Sequence, residues 1–320
     1  MLKDKIFFQT ELGVLYNGDC LELLPQIDSE SVDLVFADPP FNLGKNYGSR
    51  VNDSLQDEEY LKWCFSWIDE LVRILKPGGS FFLYNLPKWN IHLAHYMSKQ
   101  LTFRHWIAVD IKFSLPIPGR LYPSHYSLLY FVKGKRPKTF NPPRLPIETC
   151  SFCGKELKDY GGYKNKMNPN GVNLTDVWRD LSPVRHRKYK NRASNELPLK
   201  MLDRILDIAT VEGDVVLDPF GGSGTTYIAA ELKKRHWIGL EIDKESCEVI
   251  QQRFQQIKKE EEHLLAIRRE INTLFTPEAL ELRKKFGHDN SKYRINGEKQ
   301  STETTGTLFE LIENNSQNEK

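Results

Sequence analysis

The chain has 320 residues, of which 39% are hydrophobic and 28% are charged, and its formal net charge is +2. Such a length allows one large α/β domain with an insertion, or two modest domains. No apolar run is long enough to cross a bilayer, and the first residues lack the apolar stretch of a signal peptide. We therefore expect a cytoplasmic protein that is not inserted in a membrane.

Short apolar runs alternate with helical patterns along residues 14–132 and again along 195–272, which predicts a mostly parallel sheet with helices on its faces. The predicted strands are Val14–Asn17, Val32–Ala37, Ser80–Tyr84, Trp106–Phe113, Ser127–Val132, Val215–Leu217 and His236–Glu241. The predicted helices are Leu21–Ile27, Asp57–Leu75, Trp89–Gln100, Asn195–Ala209, Ser223–Lys234 and Lys244–Asn272. Beyond Gly287 the chain is polar, so we expect a mobile tail.

Residues 133–192 are rich in Pro, Gly, Lys, Arg and Asn and show little periodicity. Trp178, Tyr160 and Tyr163 give this part groups to pack, so we expect a loop-rich insertion rather than a linker. Residues 111–190 hold 16 Lys and Arg against 5 Asp and Glu, whereas the rest of the chain holds 29 against 38. This asymmetry favours contact with a polyanion over a merely solvated basic face. The residues expected to contact nucleic acid are Arg179, Arg185, Arg187, Lys188, Lys190 and Arg192.

A glycine-rich turn, Asp218-Pro219-Phe220-Gly221-Gly222-Ser223-Gly224-Thr225-Thr226, joins a predicted strand to a predicted helix. A phosphate-binding P-loop is excluded because the turn contains no Lys, and the dinucleotide fingerprint fails because Tyr227 replaces its third Gly. Glu241 ends the next strand, where a carboxylate could accept hydrogen bonds from ribose hydroxyls. The turn therefore indicates a ligand site, with a plain strand–helix connection as the alternative.

A second turn, Asp38-Pro39-Pro40-Phe41, comes directly after the buried strand that ends at Ala37. The two prolines lack N–H groups, so their carbonyls and the Asp38 carboxylate present acceptors at the edge of the sheet where ligands bind. Phe41 adds a flat apolar face. An amine that attacks a methyl group needs acceptors for its hydrogens and a ring to stack on. The alternative is a rigid turn capped by an aspartate.

The Asp-Pro-Pro-Phe turn comes first in the chain, the basic region follows, and the glycine-rich turn comes last. With these two turns in this order, the chain resembles the β group of amino-DNA methyltransferases of restriction-modification systems. The resemblance spans about residues 14–255. It implies a Rossmann-like α/β methyltransferase fold, circularly permuted, with a mostly parallel seven-stranded sheet and an inserted loop-rich target-recognition region. The implied parts are a catalytic half at 1–133, a target-recognition insertion at 134–192, a cofactor half with a flanking helix at 193–286, and a tail at 287–320.

The resemblance also implies S-adenosylmethionine as cofactor. The implied cofactor-binding residues are Asp19, Asp38, Lys200, Asp218, Phe220, Gly222, Ser223, Gly224, Thr225 and Glu241, and the implied catalytic residues are Asp38, Pro39, Pro40 and Phe41. Among them, Asp19 would meet the adenine amine of the cofactor and Glu241 its ribose. The stretch Pro123–Tyr130 is similar to the one that lines the base pocket, but His125-Tyr126 stands where His-Glu is more usual.

The implied function is site-specific methylation of an exocyclic base amine in duplex DNA. N6 of adenine is preferred because Asp rather than Ser precedes Pro-Pro. The alternatives are an N4-cytosine methyltransferase, an RNA methyltransferase, and a protein that binds S-adenosylmethionine and DNA without catalysis. Methylation of cytosine carbon 5 is disfavoured because the chain has no Pro-Cys step. Expected partners are double-stranded DNA and a cognate restriction endonuclease, with the chain as a monomer or homodimer.

Five cysteines, three of them scattered, fit a reducing compartment better than a disulfide framework. The other two form Cys150-Ser-Phe-Cys153, which looks like half of a zinc knuckle. A structural zinc site needs four ligands and no second such pair exists. We therefore favour a metal-free hairpin, with zinc as the alternative.

Overall fold

The computed structural model describes residues 2–44, 54–110, 118–119, 121, 123–145, 158–159, 161–163, 166, 172–181 and 196–272. The chain divides into two compact units, one of Met1–Asn141 with Asp176–Ile257, and one of Pro142–Thr175 with Lys258–Lys320. The division into four functional parts stays a prediction, and the expected tail lies outside the described residues.

The first unit is built on a mixed sheet. The strands of the described chain are β1 Ile6–Gln9, β2 Gly13–Asn17, β3 Val32–Ala37, β4 Leu75–Asn85, β5 Thr102–Asp110, β6 His125–Val132, β7 Arg144–Leu145, β8 Val172–Asn173, β9 Val177–Trp178, β10 Val215–Asp218 and β11 His236–Glu241. Nine of them form one sheet in the order β1-β2-β11-β10-β3-β4-β6-β5-β9 within the described ranges, and β7 pairs with β8 in the second unit.

The predicted Rossmann-like α/β fold is confirmed, because the strands from β2 through β11, β10 and β3 to β4 are all parallel. β6 then runs antiparallel to both β4 and β5. All seven predicted strands are present, and two short edge strands, β1 and β9, lengthen the sheet. The prediction missed them because two to four residues carry too little alternation to be recognised.

The helices are α1 Cys20–Leu23, α2 Asp57–Ile74, α3 Pro87–Met97, α4 Leu199–Ala209, α5 Thr225–Leu232, α6 Lys244–Gln255 and, in the second unit, α7 Ile257–Asn272. None of the helices in the described part of the chain combines the length and apolar character needed to span a bilayer. α2 begins where predicted, and β4 starts directly after it at Leu75, five residues before the predicted strand start.

Several predicted helix boundaries differ from the structure, and three of these differences have a clear local cause. The first helix is α-helical only to Leu23 and continues as a 3-10 turn, because Pro25 has no N–H to extend the α-helical ladder. α4 begins at Leu199 rather than Asn195, because the residue before Pro198 is biased away from helical geometry. The predicted helix from Lys244 to Asn272 is interrupted at Gln256, whose φ of −109° and ψ of 28° leave the helical region.

The core explains why the turns after β3 and β10 are held firmly. All six residues of β3 are buried, as expected for a central parallel strand covered on both faces. At the opposite edge of the sheet, Asp33 is 4% exposed and pairs with Lys76 at 2.6 Å and Lys138 at 3.1 Å. Lys138 also pairs with Asp214 just ahead of β10, at 2.9 Å. Two buried aspartates and two partly exposed lysines thus tie the two strands together at the end away from the site.

Candidate active site

The two signature turns lie side by side. β3 and β10 are neighbouring parallel strands, with Leu34 opposite Val216 and Val35 opposite Leu217. Their carboxyl ends therefore meet at one edge of the sheet, where ligands bind in folds of this kind. A cavity of about 340 Å³ opens there and is lined by both the Asp38–Phe41 turn and the Asp218–Ser223 turn. Two segments far apart in the sequence thus form one site.

The glycine-rich turn has a backbone conformation that is unfavourable for residues with a Cβ atom. Gly222 and Gly224 have φ values of 55° and 78°, in the left-handed region that favours glycine. Gly224 is the N-cap of α5, so the first N–H groups of that helix point toward the turn. A Cβ atom on Gly224 would lie 2.8 Å from Cγ1 of Ile250. The turn therefore brings backbone donors close to whatever occupies the cavity.

Asp218 is a buried carboxylate of the cavity lining, at 3% exposure. Its two oxygens accept hydrogen bonds from the backbone N–H of Phe220 at 2.9 Å and from the Thr226 hydroxyl at 2.6 Å. Burial raises the pKa of Asp218 from 3.8 to about 7, with a smaller contribution from the nearby charge of Glu241, despite these two bonds. A cation in the cavity would favour its ionised form.

Glu241 and Asp19 lie at the ends of β11 and β2, the strands next to β10 on one side of the sheet. The Glu241 carboxylate accepts from the backbone N–H of Gly222 at 2.6 Å and from that of Asp243 at 2.8 Å. Asp19 caps α1 through the N–H of Leu21 at 2.9 Å. Both carboxylates line the cavity. Because each carboxylate oxygen has two lone pairs, both side chains retain acceptor capacity for a ligand.

The Asp38–Phe41 turn is fixed by side chains from two helices. The Tyr60 hydroxyl donates to the Pro40 carbonyl at 2.7 Å, and Nε1 of Trp89 donates to the Phe41 carbonyl at 2.8 Å. These two carbonyls each accept one hydrogen bond from the protein, and all four residues of the turn line the cavity. The Asp38 carboxylate and the Pro39 carbonyl add acceptors to this part of the cavity wall.

An aromatic cluster of Phe41, Tyr84 and Tyr126 lies beside this turn. The Phe41 ring is 5.4 Å from that of Tyr126 and 6.1 Å from that of Tyr84, centroid to centroid. The pKa values of both tyrosine hydroxyls are raised, mainly by burial and further by the charge of Asp38. Tyr126, in the predicted base-pocket stretch, therefore lies close to Asp38 and Phe41.

The charge of the cavity wall has one sign. Its acidic residues are Asp19, Asp38, Glu196, Asp218 and Glu241, and no Lys, Arg or His of the described chain is part of the lining. Such a wall favours cationic over polyanionic ligands, because like charges repel strongly where water is excluded. A nucleotide polyphosphate is therefore a poor fit, whereas a ligand that carries a positive charge is a good one.

Comparison with known proteins identifies the family. A family model described as DNA methylase, of the N6 and N4 methyltransferases, matches residues 32–252. The chain belongs to this DNA methylase family. The type II methyltransferase M.BamHI of Bacillus amyloliquefaciens is 57% identical over 283 residues, which cover 88% of this chain and 66% of that relative, slightly under two thirds of its length. The DNA adenine methyltransferase YhdJ of Escherichia coli K12 is 33% identical, over 74% of this chain and 81% of its own.

Solved structures share the fold at lower identity. The PvuII DNA methyltransferase, described as cytosine-N4-specific, gives a TM-score of 0.59 with 21% identity over 79% of this chain and 93% of that one. M1.HpyAVI, solved in complex with S-adenosylmethionine, gives 0.53 with 20% identity over 75% and 98%. The predicted resemblance to amino-DNA methyltransferases is thus confirmed at the level of family and fold.

The DNA methylase cavity does not contain every residue that the sequence singled out. Lys200 is absent from the described lining, and its ammonium contacts the carbonyl and carboxylate of Asp180 at 3.0 and 2.9 Å. Gly224 shapes the turn without lining the cavity. Arg179 is exposed. Arg185, Arg187, Lys188, Lys190, Arg192, Cys150 and Cys153 lie outside the described residues. Within the described chain, no group of three His, Cys, Asp or Glu side chains is placed to hold a metal.

Several lining residues were missed by sequence reasoning. Tyr60 and Trp63 come from α2, and the spacing of Trp63 and Trp67, one helical turn apart, is typical of core packing. The Trp63 ring instead contacts that of Phe220 at 5.7 Å and forms part of the cavity wall. Glu196 precedes α4, in a stretch where the sequence drew attention to Lys200. No local pattern distinguishes these side chains from ordinary packing or surface residues.

Proposed function

We propose that this DNA methylase transfers a methyl group from S-adenosylmethionine to the exocyclic amine of a base flipped out of duplex DNA. The observation that carries the proposal is the single cavity lined by both signature turns. One turn supplies a cofactor site and the other supplies acceptors and a ring for an amine. A binding protein without catalysis would need the first turn only.

The cofactor half of the cavity fits S-adenosylmethionine by charge and by donors. The sulfonium and ammonium groups are cations, and the cavity wall carries acidic side chains. The N–H groups at the start of α5 can meet the cofactor's carboxylate. Glu241 at the end of β11 is placed to accept from ribose hydroxyls. The bound cofactor supplies an electrophilic methyl group, and these protein groups fix its orientation.

The base half of the cavity positions the amine. Flipping the nucleotide costs a few kcal/mol, of which stacking on Phe41 would return about 1–3 kcal/mol. The Asp38 carboxylate and the Pro39 carbonyl accept the two amine hydrogens, which directs the nitrogen lone pair away from the turn. Asp38 would stabilise the positive charge that develops on the amine nitrogen as it takes the methyl group. The bond between that methyl carbon and the sulfonium sulfur would break, leaving S-adenosylhomocysteine, and the surplus amine proton would pass to solvent. Catalysis then comes mainly from placement.

The choice of base is the finer part of the proposal. N6 of adenine is the first candidate because Asp38 precedes Pro39-Pro40, and YhdJ, 33% identical, is named an adenine methyltransferase. N4 of cytosine is the second candidate, because the cytosine-N4-specific PvuII enzyme shares the fold with a TM-score of 0.59. The geometry of Asp38 serves either amine, since both carry two hydrogens next to a ring nitrogen.

DNA recognition is assigned to the basic middle segment, from which Arg179 is exposed. Lys and Arg side chains there would contact phosphates and read bases in the major groove. Because M.BamHI is named a type II methyltransferase, a cognate restriction endonuclease is the proposed biological partner. The target sequence would then be the site which that endonuclease cuts.

The test is to express the chain in cells without related modification and analyse their DNA. Sequencing with modified-base detection gives the site, and mass spectrometry of the nucleosides separates N6-methyladenine from N4-methylcytosine. We expect one of these two bases at a single recognition sequence. Modified RNA with unmodified DNA would replace the proposal with an RNA methyltransferase. Cofactor binding with no methyl transfer to any duplex would leave only a binding protein.

A further inference from the structure

Asn85, Asn90 and Ser127 form a buried, hydrogen-bonded cluster beside the Asp38–Phe41 turn. All three residues are 0% exposed. Asn85 ends β4 and lies opposite Ser127 near the start of β6, and Asn90 belongs to α3, which follows β4. Amides and hydroxyls are costly to remove from water unless hydrogen bonds inside the protein replace those to water. The bonds that these three residues form lead to the turn that is proposed to hold the base amine.

Asn85 sets the direction of the hydrogen bond between Tyr60 and this turn. The Asn85 Oδ1 atom accepts from the backbone N–H of Leu86 at 2.7 Å, which leaves Nδ2 facing Tyr60. Nδ2 donates to the Tyr60 hydroxyl at 3.0 Å. The single hydrogen of that hydroxyl then goes to the Pro40 carbonyl at 2.7 Å, since the nearby Cys64 sulfur is a weaker acceptor. Asn85 therefore holds the Pro40 carbonyl through Tyr60.

Ser127 joins Asn85 to α3. The Ser127 hydroxyl donates to the Asn85 carbonyl at 3.1 Å and accepts from Nδ2 of Asn90 at 2.7 Å. Nδ2 of Asn90 also donates to the Ser127 carbonyl at 3.0 Å. The residue before Asn90 is Trp89, whose Nε1 donates to the Phe41 carbonyl. One turn of α3 thus contacts both β6 and the Asp-Pro-Pro-Phe turn.

These hydrogen bonds connect two sides of the base half of the cavity. One side is the turn that carries Phe41. The other is β6, where Tyr126 immediately precedes Ser127 and its ring lies 5.4 Å from that of Phe41. Apolar packing is not directional, whereas hydrogen bonds fix both a distance and an angle. The bonds therefore fix where the turn lies relative to β6.

We propose that Asn85, Asn90 and Ser127 are positioning residues for methyl transfer, which hold the Asp38–Phe41 turn where the base amine meets the methyl group. None of the three is part of the cavity lining in the described chain, so they act through the turn. The inference rests on the proposed function and adds the residues that keep its base half in place. Because a displacement of about 1 Å can slow a reaction about a hundredfold, loss of these bonds should slow methyl transfer and leave cofactor binding unchanged.

The test compares Ser127→Ala with Ser80→Ala in the purified full-length chain. Ser80 is the matched control, because it is also buried in the β4–β6 pair and hydrogen bonded, to the Tyr130 hydroxyl at 3.3 Å, but lies opposite Val132 at the other end of β6. Methyl transfer is measured in a single turnover, at saturating S-adenosylmethionine, on unmodified DNA that carries the recognition sequence found by the sequencing above. Affinity for S-adenosylhomocysteine is measured by isothermal titration calorimetry.

We expect the rate constant of transfer to fall about tenfold to a hundredfold in Ser127→Ala, with the affinity for S-adenosylhomocysteine unchanged. Ser80→Ala should change neither quantity. Partial unfolding would lower the fraction of protein that reacts and not the rate constant, so it is distinguished from loss of positioning. An unchanged rate constant in Ser127→Ala, an equal fall in Ser80→Ala, or a parallel fall in cofactor affinity would each overturn the proposal.

A double-mutant cycle tests the connection through Tyr60. Asn85→Leu keeps a similar volume without the donor, and Tyr60→Phe removes the hydroxyl. Each should slow transfer, and the combined loss should be smaller than the product of the two separate losses, because both act on the Pro40 carbonyl. Losses that multiply would show that Asn85 does not act through Tyr60 and would overturn that step. If the unaltered chain transfers no methyl group, the proposed function itself fails. If it does and Ser127→Ala reacts equally fast, only the present inference fails.

Discussion

The raised pKa of Asp218 makes cofactor binding depend on pH in a direction that the structure fixes. Burial, aided by the charge of Glu241, raises the pKa of this carboxyl from 3.8 to about 7. Near neutral pH a substantial fraction of the free protein therefore carries Asp218 protonated. Because the cofactor brings positive charge into the cavity, it should bind the ionised form better and lower this pKa. Binding below pH 7 should then release a proton.

The size of the change in cofactor affinity with pH depends on the fraction of Asp218 that is ionised. At pH 5.5 about 3% of Asp218 is ionised and at pH 7.5 about three quarters, so affinity should rise about 25-fold over this range. The stability of the cofactor-free protein should change in the opposite sense. An unfolded carboxyl ionises near 3.8, so stability is greatest below that pH and falls until the folded group ionises near 7. The loss is at most about 4 kcal/mol.

The assay is isothermal titration calorimetry with S-adenosylmethionine between pH 5.5 and 7.5, in two buffers of different ionisation enthalpy to count released protons. Asp218→Asn is the control, since it has no proton to lose at this position. We expect a steep pH dependence in the unaltered chain and a nearly flat one in the variant. Equal affinity at both ends of the range, or the same slope in Asp218→Asn, would refute this assignment.

Three further predictions concern stability. Gly224→Ala should lower the free energy of unfolding in urea by about 1–3 kcal/mol and weaken the binding of S-adenosylmethionine, because φ is 78° and the new methyl would lie 2.8 Å from Ile250. A free energy of unfolding equal to that of the unaltered chain would contradict this prediction. Burial raises the pKa of Asp33, but bonds from two lysines and a backbone N–H outweigh this and hold it below 3.8. Asp33→Asn should therefore cost about 1–3 kcal/mol at pH 7 and progressively less as the pH falls through 3.8, with cofactor affinity unchanged. Tyr60→Phe leaves the Pro40 carbonyl without its donor and should cost about 1–3 kcal/mol by the same measurement, and no cost would show that water replaces the hydroxyl.

The parts of the site that the sequence predicts are those in which structure and chemistry depend on the same few adjacent residues. A buried β-branched run ending in Asp38-Pro39-Pro40 indicates both a strand and the rigid turn that ends it. The glycines between Asp218 and Thr225 likewise indicate a turn that side chains resist. Because parallel neighbouring strands end at one edge, two such turns predict one cavity, and the structure brings them together.

The parts that the sequence does not predict depend on contacts between distant residues. Glu196 and Arg253 are 57 positions apart, and neither lies in a pattern that points to the other. The bond from Tyr60 to Pro40 joins a helix to a turn, and the helix is recognisable only as amphipathic. The helical segment from Lys244 onward is interrupted at Gln256, where no Gly or Pro in the sequence indicates a helix end. In the sequence, this interruption lies next to the boundary between the two units.

The proposed mechanism depends above all on Asp38 acting on the base rather than holding the cofactor. It is tested by measuring transfer of labelled methyl from S-adenosylmethionine to unmodified DNA by the Asp38→Ala variant, beside its affinity for the cofactor. We predict that transfer falls at least about a hundredfold, because the amine loses its placement, while the cofactor affinity is at most weakened. Turnover retained in Asp38→Ala would contradict this mechanism.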